Sequence, residues 1–291
     1  ALPIELEVHG VARENTSTVC GQFLPRQERM DTVTASAAPF PFTVGIPTAI
    51  AHRGGLAHQA ENSRPAIEAM LDLGVRVFET DVRATSDGQV VLAHDSSLER
   101  RFGDPREIAD ISWDELSTLR DRDGVAPLRL EDVLAEYSDM VLNIDAKSDD
   151  VVAPLMRIVR DGEVRPRVCL AAFSTRRVTL MRRISGDRVM TGMGMADVAR
   201  LLAVSRVPGP APRGVTPRAV QVPLTFRGVT VITPRFLDAA HSRGHVVHVW
   251  VVNDAEEMHR LLDLGVDGIV SDDLPVLADV FRTRGLALAQ P

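Results

Sequence analysis

Residues 48–74 read TAIAHRGGLAHQAENSRPAIEAMLDLG, and this stretch contains one complete unit of the fold. TAIA is a short apolar run with the length of a buried strand, and it breaks at a Gly-Gly turn. In ENSRPAIEAMLDLG the apolar residues recur at helical spacing. Asn62 or Ser63 can supply the N-cap oxygen, Pro65 falls in the first turn where its missing N–H does no harm, and Gly74 follows the end. A strand feeding a helix is the repeating unit of parallel α/β folds. HRGGLAHQAEN lacks the Gly-x-Gly-x-x-Gly fingerprint that usually follows the first strand of an open, doubly wound nucleotide-binding sheet. The closed barrel is therefore the expected fold.

Working outward, VRVFETDVRAT and VVLAHD flank the turn SDGQ and predict a hairpin. ISWDELSTL and LRLEDVLAEY predict two short helices. Strands MVLNIDAK, RVCLAAF, RVMTG, AVQVPL, HVVHVWVVN and DGIVS then alternate with helical segments as far as PVLADVFRTRG. The count is about eight β-then-α units, the number that closes a (β/α)8 TIM barrel. A chain of 291 residues with 45% hydrophobic content suits one such barrel, over residues 46–291. Residues 1–45 have no sustained period and many breakers, and are expected to form a loosely structured N-terminal extension.

The charge balance, 33 basic against 40 acidic residues for a net −7, argues against nucleic acid as a partner, since that binding needs a basic surface. A small anionic substrate remains compatible, because local cations override net charge. Cys20 and Cys169 are too far apart and too unlike in context to suggest a disulfide framework, so a reducing compartment is expected. No run approaches the roughly 18 apolar residues needed to span a bilayer, and the N-terminus lacks the order of a secretory signal. The expectation is a cytoplasmic protein without stable membrane insertion; the sequence does not fix its oligomeric state.

In a barrel of this kind the active site lies at the C-terminal ends of the strands, and the unusual polar residues fall there. His52, Arg53 and Gly54 close the first strand. Glu79 and Asp81, two apart, project to one face of the second strand, and Asp145 and Lys147 repeat that spacing on the next. His94 and Asp95 end the hairpin, and Trp250 and Asn253 close a late strand. Three carboxylates at one place repel unless a cation sits among them, and hard oxygen donors suit Mg²⁺ or Ca²⁺. The alternative is an ordinary ion pair from Glu79 to Arg76 or Arg83. His52 and His94 suit a general acid and base. Arg53 and Lys147 beside a cation imply a phosphate group on the substrate, although Lys147 could merely neutralise Asp145. Trp250 is either a pocket wall or barrel filling. Gly54 and Gly55 are expected to let backbone approach a ligand, with a plain tight turn as the alternative. His241, His245, His248 and His259 read as structural or solvated.

The motifs H-R-G-G, E-N-S, F-E-T-D-V, T-x-D-G and H-D-x-x-L-x-R, in this order, together with P-L-R-L-E-D-V-L, N-I-D-A-K, A-F-S, H-V-W-V-V-N and L-G-V-D-G-I-V-S-D, resemble the glycerophosphodiester phosphodiesterase family along most of residues 48–283. The resemblance implies a barrel of the phospholipase-C-like phosphodiesterase type, with Ser96 to Val125 as its insertion after the hairpin. It implies a metal-dependent hydrolase that splits glycerophosphodiesters into an alcohol and sn-glycerol 3-phosphate. By motif, His52 and His94 would be the acid–base pair, Glu79, Asp81 and Asp145 would hold Mg²⁺ or Ca²⁺, and Arg53 and Lys147 would contact the phosphate. Glu61 would support the substrate pocket. Three departures stand out: Ala60 replaces the usual proline, Asp145 is a methylene shorter than the common glutamate, and SDDLP sets its proline one residue late. Rival readings are a lysophospholipase D, which would need an apolar groove beside the site, a lyase that stops at a cyclic phosphate, and an inactive ligand-binding barrel.

Overall fold

A computed structural model describes residues 40–186, 188–206 and 218–289. In chain order the first half contains β1 (Thr48–His52), α1 (Arg64–Asp72), β2 (Val77–Ala84), β3 (Val90–Leu92), α2 (Glu99–Phe102), α3 (Trp113–Leu116), α4 (Leu130–Glu136), β4 (Val141–Ala146) and α5 (Val152–Ile158). The second half contains β5 (Val168–Ala171), α6 (Thr175–Ser185), β6 (Met190–Gly192), α7 (Met195–Val204), β7 (Arg218–Val222), β8 (Thr225–Phe226), β9 (Val229–Thr230) and α8 (Pro234–His241). It ends with β10 (Val246–Val249), α9 (Ala255–Leu264), β11 (Gly268–Ser271) and α10 (Leu274–Thr283).

Strands β1, β2, β4, β5, β6, β7, β10 and β11 are parallel neighbours in that order, and β1 pairs with both β2 and β11, so the sheet closes. The expected β-then-α units are all present. β3 lies antiparallel on β2 and completes the hairpin. A second, exposed hairpin, β8–β9, was not anticipated: its strands are two residues each, too short to show alternation.

Local chemistry accounts for the first unit. Ser63 Oγ accepts the Ala66 N–H at 3.2 Å as the N-cap of α1, and Gly74 takes φ +94° just beyond it. Ser112 and Glu115 form a reciprocal capping box on α3. The insertion is held by its own small core, where Leu98, Ile108, Ile111 and Leu116 pack on Val91 of β3.

Strand alternation divides the apolar residues into two cores. One face of each strand packs against the helices, through residues such as Phe78, Ile144, Phe236 and Phe281. The other face fills the barrel with Ile50, Val77, Cys169, Met190, Ala219, Val246 and Val270, and His52, Glu79 and Asp272 stand two positions beyond Ile50, Val77 and Val270. Phe42 is buried in this interior and meets the His248 ring edge-on at 4.6 Å. Burial lowers the His248 pKa to about 4, so it is a neutral core residue, as expected. Residues 40–45 are therefore anchored, unlike the loose extension expected there; residues 1–39 lie outside the described residues. Among the described residues no helix is long and apolar enough to cross a membrane.

Asp267, only 1% exposed, ties this floor together. It accepts hydrogen bonds from Gly45 N at 2.6 Å and Val247 N at 2.7 Å, and its Oδ2 lies 2.7 Å from His241 Nε2. That last bond raises the His241 pKa above 6.5 against the pull of burial. A base with a raised folded-state pKa adds stability that is complete below the unfolded value and is lost as pH rises through the folded value. The stability gap between wild type and His241→Gln in urea unfolding should therefore be widest near about pH 6 and shrink above neutrality. A gap independent of pH would contradict the pairing.

The glycines after β1 are required by a tight turn and by close packing. A Cβ on Gly54 would stand 2.6 Å from Ala66 Cβ, and one on Gly55 would stand 2.8 Å from the Leu274 side chain; both residues have φ above +85°. Helices α1 and α10 press directly on this turn. At Gly124 (φ +79°) a Cβ would meet nothing within 4 Å. Gly124→Ala should lose about 1–2 kcal/mol for its dihedral alone, and Gly54→Ala about 1–3 kcal/mol more from overpacking. Equal losses in denaturant unfolding would refute the close contact.

Candidate active site

Parallel register brings the sequence-predicted residues to one level of the mouth. His52 pairs with Glu79 across β1 and β2, and Asp81 pairs with Asp145 across β2 and β4. Arg53 leaves β1 at φ +50° and Asn62 enters α1 at φ +51°, both uncommon for non-glycine residues. Hydrogen bonds hold this turn: Arg53 N to Glu79 O and Asn62 N to Arg53 O, both 2.8 Å, and Thr80 Oγ1 to Asn62 Oδ1 at 2.7 Å.

The Arg53 guanidinium donates Nη1–H to Glu61 Oε2 at 3.0 Å, and its Nε lies 2.9 Å from Asp81 Oδ2 in an ion pair. Lys147 Nζ lies 2.6 Å from Asp81 Oδ1 and 2.7 Å from Asp145 Oδ2. Burial pulls the Lys147 pKa down, but Asp145 and Asp81 outweigh it and hold the ammonium above its ordinary value. Lys147 thus bridges two carboxylates instead of neutralising Asp145 alone. Glu79 pairs with neither Arg76 nor Arg83: Arg76 donates to the Leu71 and Val75 carbonyls, and Arg83 grips the His94 carbonyl at 2.8 and 3.0 Å. Burial, then Asp81 and Asp145, push the Glu79 carboxyl well above the usual carboxylate range.

Each histidine presents Nδ1 to a carboxylate. His52 Nδ1 is 2.6 Å from Asp272 Oδ1, and His94 Nδ1 is 2.8 Å from Asp95 Oδ1. Burial raises the Asp272 pKa, but hydrogen bonds from His52 and Asn253 overcome it and leave the carboxyl below its ordinary value. Asn253 Nδ2 donates to Asp272 Oδ2 at 3.1 Å, while its Oδ1 accepts from Asp272 N and Ser271 Oγ. The sequence reading noted SDDLP only for its displaced proline. The signal it missed is register: Ala51 pairs with Ser271, which sets His52 beside Asp272.

His52, Arg53, Glu79, Asp81, His94, Asp145, Lys147 and Trp250 all line one cavity of about 560 Å³ at the mouth. Glu61 does not line it. It stands behind Arg53 and also pairs with Arg100, which bridges to Asp95. Glu61 thus pairs with two cations, Arg53 and Arg100, from behind the cavity wall. Trp250 is a wall, packed edge-on against Phe173 at 5.8 Å.

Buried Glu79 Oε2 and Asp145 Oδ1 have no hydrogen-bond partner, and orphaned buried oxygens of this kind are unfavourable by about 1–3 kcal/mol each. Among the described residues no group of three or more His, Cys, Asp or Glu side chains is already arranged to hold an ion. The orphaned oxygens and the crowding of three carboxyl groups nonetheless fit a hard divalent cation by their chemistry.

The sequence model of the glycerophosphoryl diester phosphodiesterase family matches residues 52–276, from the first site histidine to the start of α10. The chain belongs to this family. It is 34% identical over 241 residues to the Mycobacterium tuberculosis protein named "Probable glycerophosphodiester phosphodiesterase 2", covering 81% of this chain and 91% of that one. Two solved structures share the fold. The glycerophosphodiester phosphodiesterase of Agrobacterium tumefaciens has a TM-score of 0.68 at 21% identity, covering 81% of this chain and 100% of that one. An Oleispira antarctica phosphodiesterase, solved with its product sn-glycerol 3-phosphate, has a TM-score of 0.66 at 18% identity, covering 81% and 97%. The protein is thus a phosphoric diester hydrolase on a closed (β/α)8 barrel.

Asp272→Asn replaces the carboxylate facing His52 Nδ1 with an amide. Losing a partner that fixes an imidazole's tautomer should lower phosphodiesterase kcat by about 10²-fold or more while the fold is retained. Unchanged kcat would show that Asp272 does not position His52.

Proposed function

We propose that this family member hydrolyses glycerophosphodiesters to an alcohol and sn-glycerol 3-phosphate, with His52 and His94 as the acid–base pair. The observation supporting this is the convergence of two carboxylate-oriented histidines, two cations and three carboxylates on one cavity wall. Arg53 and Lys147 bind the non-bridging phosphate oxygens and offset the charge that builds there. One histidine takes a proton from the nucleophile, either water or the glycerol 2-hydroxyl. The new phosphorus–oxygen bond forms as the bond to the leaving alcohol breaks, and the other histidine protonates that oxygen. If the 2-hydroxyl attacks first, water then opens the cyclic phosphate, so one water is consumed on either route.

Glu79, Asp81 and Asp145 would hold a divalent cation, Mg²⁺ or Ca²⁺. When bound, it would supply Lewis-acid stabilisation of the phosphoryl oxygens. Glu61 and Arg100 keep Arg53 and Asp95 in place from behind.

The test is turnover of glycerophosphocholine followed by ³¹P NMR, with Mg²⁺, Ca²⁺ or chelator present. Free glycerol 3-phosphate should form, and chelator should abolish it. His52→Ala and His94→Ala should each lose about 10²-fold or more. Near-normal rates in both variants would overturn the histidine pair, indifference to chelator would overturn the cation, and cyclic phosphate as the end product would make the protein a lyase.

A further inference from the structure

A second cavity, of about 270 Å³, lies behind α7. Helical spacing divides that helix between the two cavities. Met195, Val198, Ala199 and Leu202 face the apolar side of the mouth, whereas Asp197, Arg200, Leu201 and Val204 face the second cavity. The two sets are offset by two residues, roughly 200° around the helix. Met193 borders both spaces, but none of the charged residues of the mouth reaches the second one.

The lining of this cavity is cationic. Among the described residues it holds Arg182 of α6, Arg200 of α7, Arg218 at the start of β7 and Arg243 after α8, against a single acid, Asp197. Asp197 Oδ1 accepts from Arg200 Nη1 at 3.2 Å. Arg182 donates to uncharged groups, Thr191 Oγ1 at 3.2 Å and the Gly192 carbonyl at 3.3 Å. Arg243 does the same with the Ala239 carbonyl at 2.6 Å and Ser242 Oγ at 3.4 Å. Neutral acceptors orient a guanidinium and leave its charge in place. Arg218 is itself engaged, so the charge available to a ligand comes from the other three.

A buried imidazole lies among these arginines. His245 directly precedes β10, next to Arg218 through the pairing of Ala219 with Val246. It is 3% exposed, lines the cavity, and has no hydrogen-bond partner at Nδ1. Burial, then Arg218, Arg243 and Arg182, lower its pKa to about 4, so near neutrality the ring is uncharged. Buried ring nitrogens are normally hydrogen-bonded, and in its Nδ1–H tautomer this one is a donor without an acceptor. A tetrahedral oxyanion meets both needs, since it offers several acceptor oxygens to guanidinium forks and carries more than one negative charge.

We propose that this cavity is a second anion site, which takes a phosphate dianion between Arg182, Arg200, Arg243 and the His245 ring. The dianion is the free ion or the phosphate group of a small phosphomonoester. The site shares no residue with the charged wall of the mouth, so it stands apart from the hydrolase reading.

The test is calorimetric titration of the chelator-stripped chain with inorganic phosphate and, separately, with glycerol 3-phosphate, at constant ionic strength set by chloride. Arg243→Gln should weaken one saturable phosphate site about tenfold or more. Arg200→Gln, at an exposed position that tolerates substitution, should weaken the same site severalfold. Both variants should unfold as cooperatively as the wild type. Of the two anions, the one that binds this site more tightly identifies its occupant. Phosphate affinity unchanged in both variants would place the anion at Arg53 and Lys147 in the mouth and overturn the second site. No saturable binding, or heat that chloride alone reproduces, would reduce the arginines to unspecific surface charge and overturn it as well.

Discussion

Glu79, Asp81 and Asp145 are held together at the barrel mouth by parallel register, and charge balance around them organises everything nearby. Carboxylates this close and this buried repel one another and lose hydration. Lys147 lies between Asp81 and Asp145, and Arg53 also pairs with Asp81. What remains is a set of orphaned oxygens and a Glu79 that resists ionisation, which is the condition a further positive charge relieves.

The surrounding residues keep that arrangement rigid. The turn from Arg53 to Asn62 carries two positive dihedrals, and helices α1 and α10 close on Gly54 and Gly55 behind it. Asp272 and Asp95 orient the histidines, and Arg100 and Glu61 link the His94 side of the mouth to Arg53. Such outer partners let a site bind an anion without rebuilding itself. The opposite wall is apolar and open, so the mouth has one charged pole and one that shuns water.

Much of this was legible in the sequence because it is local. The cap at Ser63, the turn around Asp87-Gly88, and the two-residue spacing of Glu79-Asp81 and Asp145-Lys147 depend only on near neighbours. What could not be read depends on closure. Asp272 meets His52 only because β11 returns to β1, 220 positions away in sequence. Glu61 belongs by sequence to the substrate-facing loop, yet Arg53 and Arg100 draw it behind the wall. The close packing at Gly54 is set by Ala66, in the first turn of α1. The apolar wall is assembled from β5's exit loop, α7, a two-residue hairpin strand and Trp250, four pieces with no shared pattern along the chain.

The most direct test of this electrostatic arrangement is calorimetric titration of the chelator-stripped protein with Ca²⁺ or Mg²⁺. The three clustered carboxylates should give a single saturable site, lost in Asp81→Asn while the barrel still unfolds cooperatively. No saturable binding to the wild-type protein, or equal binding to the variant, would contradict it.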